Sequence, residues 1–332
     1  MHKNILLFLL LALAIVGTTA CDQGSYDDYE EFVGGGDFGD DDSGDDDWGD
    51  DDDDNGSGNE AGGEGELTLY TVDGDEIAFE RDYTVDGSLL DYQADKTRHR
   101  EMWDFVVRLL PPSARKNIVE FEVFYGANDL LGYVYPINDD DLSRWKFALA
   151  IDAAGDLTTI DFSELFTLVT IHEYAHILSL NNEQVDGATG PRDCDTYHTG
   201  EGCSFGDSYV NRFVELGWTE IIARGEHQGD PYELYESRPT EFVSDYAATN
   251  PGEDIAESFS FFVAEGARRT GTTLADQKVN LFYDYPELVE MRRVIRESGN
   301  GPVGRAMSLG THPGFGGKRV GHGHGAHVGH GH

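Results

Sequence analysis

The run His172-Glu173-Tyr174-Ala175-His176 places two imidazoles and a carboxylate at a spacing that can do chemistry. Positions i and i+4 share one face of an α-helix, so His172 and His176 can reach a single ion. Glu173 follows the first imidazole and can take a proton from a water molecule that such an ion polarises. The implied chemistry is metal-assisted hydrolysis with a carboxylate general base. Neutral imidazoles suit zinc, and a catalytic zinc takes three protein ligands and leaves one position open. Two histidines and a glutamate are costly to bury in an apolar helix unless something compensates them, and an ion would.

The third ligand must come from elsewhere in the chain. One group of such proteins places it six residues beyond the second histidine, with an intervening glycine; here Asn182 and Ser179 stand at those positions. The candidate lies downstream, in Asn250-Pro251-Gly252-Glu253-Asp254-Ile255-Ala256-Glu257-Ser258-Phe259. Asn250 or Gly252 opens a helix, and Glu253 and Glu257 then share one face of it. One of these carboxylates can bind the ion. The other can accept the free N–H of a ligand histidine and fix its tautomer. A plain acidic helix start, favoured by the helix dipole, has the same composition.

Together the two motifs resemble the gluzincin branch of the zincin metallopeptidases. That resemblance implies an α+β zincin-like fold, one catalytic Zn2+ held by His172, His176 and Glu253, Glu257 as the partner of a ligand histidine, and a peptide or protein substrate. More narrowly, Thr240 to Ala247 followed by Asn250 to Phe262 is similar to zinc-binding metallopeptidase lipoproteins of bacteria, with Ile255 in place of their usual phenylalanine. The likeness covers residues 140–265. It also implies that Tyr246, seven residues before Glu253, faces the metal and donates to a developing oxyanion. It implies too that the strand just before the active-site helix is a sheet edge to which an extended substrate adds. A zincin fold that binds without turnover, as an accessory in substrate import, is the alternative, and the intact Glu173 speaks against it.

The elements that must position these residues are legible in outline. Leu67 to Phe79 alternates apolar and polar residues around Val72-Asp73-Gly74-Asp75, a hairpin pattern. Tyr92 to Leu110 has helical periodicity and meets Pro111-Pro112. Residues 119–125, 131–136 and 145–151 read as strands. A mostly apolar helix over 163–180, capped by Asp161 or Ser163, carries the histidine motif. Helices over 207–225, 252–265 and 285–297 follow. The order is an α+β half with a small mixed sheet, a central helix, then a mainly helical half.

Around this 66–300 domain the composition changes sharply. The chain has 332 residues and a formal charge of −41. The domain itself carries 45 acidic and 19 basic residues. A body that acidic repels phosphate backbones, which argues against nucleic acid as a partner. Residues 22–65 hold nineteen Asp or Glu and no Lys or Arg. Such a segment cannot bury enough apolar surface to fold, and reads as a solvated tether. Residues 301–332 hold six of the twelve His, eleven Gly and no acid. They read as a flexible tail whose imidazoles could gather additional metal ions. A metal-capture lipoprotein built on tether and tail is a further alternative.

Residues 1–20 have the form of an export signal: a short positive start, an apolar run from Ile5 to Val16, then Gly17-Thr18-Thr19-Ala20. Cys21 follows at once, as in bacterial lipoprotein signals, with Thr18 where leucine is commonest. The expected location is therefore the bacterial cell envelope, lipid-anchored, facing the periplasm or the exterior. Three cysteines is an odd number for an exported chain; acylating Cys21 leaves Cys194 and Cys203 to pair. His198 lies in the loop between them and could approach the cleft. If Cys21 carries lipid, Cys21→Ser should move the protein from the membrane to the soluble fraction. Unchanged fractionation would assign the anchor elsewhere.

Overall fold

The computed structural model describes residues 65–127 and 130–299 and the backbone of 319–322. Cys21, the export signal, the acidic tether and the rest of the tail lie outside the described residues. No helix among the described residues is long and apolar enough to cross a membrane.

The first half holds five strands: β1 (Glu66–Asp73), β2 (Glu76–Asp82), β3 (Ile118–Phe124), β4 (Leu130–Asn138) and β5 (Asp141–Ala150). Between β2 and β3 run α1 (Leu89–Ala94), α2 (Lys96–Leu109) and the single turn α3 (Pro112–Arg115). The sequence predicts one helix over 92–110, and the structure has two. Asp95 breaks the run because its side chain accepts the Arg98 N–H at 3.0 Å and caps a new start.

The second half begins with α4 (Leu165–Leu180), which carries the histidine motif. The short strands β6 (Val185–Asp186) and β7 (Cys203–Ser204) pair with each other. Then come α5 (Tyr209–Gly217), α6 (Thr219–Ala223), α7 (Pro231–Ser237), α8 (Pro251–Ala264), α9 (Leu274–Leu281) and α10 (Pro286–Ser298). Sequence periodicity passes over α7 and α9, which are short and open on caps. Asp230 caps α7 ahead of Pro231, and Thr273 forms a capping box with Asp276 ahead of α9. The expected cap of α4 is not formed: Asp161 bonds Ser163 instead, and Glu164 precedes the helix without a side-chain bond.

The sheet order is β2-β1-β3-β5-β4-β8, where β8 is Arg319–His322. It is a mixed sheet: β3 and β5 are parallel, β4 and β5 antiparallel. Strand 145–151, expected at an edge, is therefore interior. The hairpin of β4 and β5 inserts β5 beside β3 and leaves β4 between β5 and β8. The tail, expected to be flexible throughout, contributes β8, which pairs in parallel with the outer edge of β4.

Side chains alternate across the sheet with period two. Phe121, Val123, Phe147 and Leu149 face the helices, whereas Ala148 and Ala150 join a smaller cluster on the opposite face with Phe124 and Tyr133. Helix α4 packs between β4 and α8, and fourteen of its sixteen residues are buried. An apolar run on all sides is what such a central position demands. Helix α8 is buried along its whole length.

The start of α8 is tied down by charge. Asp254 and Lys278 of α9 are both fully buried and form an ion pair. The Trp218 indole N–H also donates to Asp254 at 2.8 Å. The Lys278 ammonium lies over the Phe242 ring at 4.2 Å from its centroid. Removing one member of a buried pair strands the other charge, at a cost of about 3–5 kcal/mol. Lys278→Met should lower unfolding stability by about that amount in urea titrations. A loss below about 1 kcal/mol would mean the pair contributes little.

Candidate metal centre

Helix α4 presents His172 and His176 one turn apart, and both are fully buried. Their Nε2 atoms are 3.1 Å from each other. Helix α8 brings the third group. Asn250 is the cap of that helix, accepting the Glu253 N–H at 3.0 Å, and Pro251 occupies its first turn. Glu253 Oε2 is thereby aimed at the histidines, 3.0 Å from Nε2 of His172 and 3.4 Å from Nε2 of His176.

These three atoms form a nearly equilateral triangle. Ligands about 2.0–2.1 Å from a tetrahedral zinc stand about 3.3–3.4 Å apart. The observed edges of 3.0–3.4 Å therefore have the shape of one face of such a site, slightly contracted. Two imidazoles and one carboxylate are also a donor set that zinc accepts. His172, His176 and Glu253 make up the group with metal-site geometry among the described residues.

Glu257, one turn along α8, does a different job. Its Oε1 is 3.0 Å from Nδ1 of His172, on the far side of the ring from Glu253. A neutral His172 that offers Nε2 to an ion must carry its proton on Nδ1, and Glu257 accepts it there. Glu257 Oε2 in turn accepts from the Ser244 hydroxyl at 2.6 Å, and Ser244 Oγ accepts the Ala247 N–H at 3.1 Å. Burial pushes the His172 imidazole down, but Glu253 and Glu257 outweigh it and the net shift is up, to about 10. A proton and an ion would compete for the same nitrogen, so an ion bound there would displace a proton.

Glu173 is fully buried beside this triangle, pressed against strand β4. A Cβ at position 132 would stand 2.8 Å from Glu173 Cγ and 3.0 Å from Val169 Cγ1. Only glycine lets the strand and the helix close to this distance. Tyr246 is half-buried in a single turn before α8, its ring centroid 6.0 Å from that of His172.

Sequence reasoning gave Gly132 and Ser244 no role. Gly132 had a signal, since a glycine inside a strand marks the close approach of another element. Ser244 had none, because its contact with Glu257 spans thirteen residues and depends on the turn between them. Cys194 and Cys203 are joined in a disulfide, with Cα atoms 5.4 Å apart. His198 bridges to Cys203 within that loop and is not one of the residues of the metal group. With Glu201 and Val134 to Ile137 of β4, it borders an open depression of about 1040 Å³.

No protein-family model matches the chain, and no curated protein matches it. A similar solved structure is the crystal structure of "a putative zinc-binding metallo-peptidase" from Bacteroides caccae, with 19% identity and a TM-score of 0.37. The match covers 66% of this chain and 82% of that one. A likeness that loose decides neither fold nor function for this chain.

The two carboxylates of α8 should respond differently to truncation. Glu253→Ala removes a ligand atom and should abolish tight zinc binding in equilibrium titrations. Glu257→Ala leaves the triangle intact and should weaken binding by about 10–100-fold. The reverse order would exchange their roles, and unchanged affinity in both would place the metal elsewhere.

Proposed function

We propose that this chain is a zinc-dependent metallopeptidase of the gluzincin type, anchored by lipid at Cys21 to a bacterial envelope membrane and facing the periplasm or the exterior. The observation that carries the reading is the triangle of His172, His176 and Glu253, with Glu173 fixed one residue along the helix. The residues fit one zinc ion, whose chemistry at this place would be to polarise a peptide carbonyl and make water a better nucleophile.

The protein's own groups then have distinct tasks. Glu173 accepts a proton from the attacking water and returns it to the amine nitrogen as the peptide bond breaks. Its position against Gly132 holds the carboxylate in one place. Glu257 holds His172 in the tautomer that frees Nε2. Tyr246 can donate its hydroxyl proton to the carbonyl oxygen as negative charge develops there, a contribution of about 3 kcal/mol where it applies. An extended peptide would dock on β4, the strand that meets Glu173 at Gly132. The acidic tether would hold the domain away from the membrane surface.

Glu173→Gln separates this reading from its rivals. The side chain is nearly isosteric, so helix packing and zinc content should stay near wild type. Gln cannot accept the proton, so kcat on a peptide library should fall by about 10²–10⁴-fold with little change in KM. Near wild-type cleavage by the variant would exclude this mechanism. A wild-type chain that binds zinc and cleaves nothing would instead favour a binding lipoprotein.

A further inference from the structure

Strand β4 has two edges. One pairs with β5. The other, which flanks the proposed active site, is taken by the chain's own tail: Arg319 pairs with Leu130, Val320 with Gly132, Gly321 with Tyr133 and His322 with Val134. The tail thus pairs with the very residue, Gly132, that lies against Glu173. Strand β8 also lies against α4. His172, Glu173 and His176 are all fully buried.

We propose that residues 319–322 are an intramolecular competitor, holding the place on β4 that an extended substrate must take. The inference rests on the peptidase reading above and deepens it, because it names what restrains the site. An unpaired sheet edge invites any extended chain, and covering it is a common protection. This cover is suited to leave. It is four residues long and contains a glycine, so it makes few ladder bonds at a high ordering cost. It belongs to a segment with no acidic residue, attached to a body with a large negative excess, which keeps it near without a tight fit. A tethered segment acts at an effective concentration of about 1 mM, comparable with the weak affinity that so short a strand can have. Free and covered forms should therefore coexist, and substrate should displace the tail by competition.

The signature of such a competitor is a raised KM with an unchanged kcat. In the full-length chain, the double substitution Val320→Pro and Gly321→Pro removes two amide donors and prevents pairing. It should lower KM about 2–10-fold on a fluorogenic peptide, leave kcat unaltered, and speed hydrogen exchange at the amides of 130–134. A synthetic peptide spanning 316–324 should restore the higher KM competitively. An unchanged KM despite faster exchange would overturn the proposal. So would a joint fall of kcat and stability, which marks a purely structural edge cover. Should the double variant not fold, the same peptide added to the wild-type chain at about 1 mM must raise KM, and no effect there overturns the proposal equally.

Binding can be read without turnover. In the Glu173→Gln background, anisotropy of a labelled peptide should show tighter binding once the tail is disrupted. Equal binding overturns the competitor. Tighter binding in a protein whose wild type never cleaves would keep the competitor and reject the peptidase.

Discussion

Five ionisable side chains, His172, Glu173, His176, Glu253 and Glu257, are buried together in an apolar interior. Helices α4 and α8 are packed against each other around that constraint. Moving such groups out of water is unfavourable by several kcal/mol each unless they face partners or an ion. Here the partners come from two helices more than eighty residues apart in sequence, so neither helix can be placed without the other. The meeting of the histidines with Glu253 and Glu257 and the packing of α4 on α8 are one problem with one solution.

That solution depends on a second buried charge pair. Glu253 can aim at the histidines only if the first turn of α8 is fixed in position and rotation. The Asn250 cap fixes where the helix starts. Asp254, held by Lys278 and Trp218, fixes which way it faces. Adjacent residues 253 and 254 thus meet different partners, one the histidines and one an internal anchor on α9. The anchor fixes Asp254 by an ion pair and an indole hydrogen bond on the side of α8 that faces α9.

The sheet contributes at one point of close approach. Gly132 lets β4 touch Glu173, which ties the outer part of the sheet directly to the helix that carries the histidines. The same strand that touches Glu173 through Gly132 pairs along its other edge with a segment from the end of the chain, residues 319–322.

The sequence by itself determined the local chemistry: the helical spacing of His172 and His176, the shared face of Glu253 and Glu257, the hairpin at Gly74, and the apolar run that buries α4. Each is a short-range property, set by the periods of helix and strand and by capping side chains. The tertiary structure alone decided which strand lies at the edge, that Ser244 supports Glu257, that Asp254 meets Lys278, and that a tail rich in glycine and histidine returns to pair with β4. These contacts join residues far apart along the chain, and their energies come from burial and from the exclusion of water. No local pattern encodes them, because the same hairpin of β4 and β5 can join a sheet from either side. Only packing against β3 and α4 selects the side that brings Gly132 to Glu173.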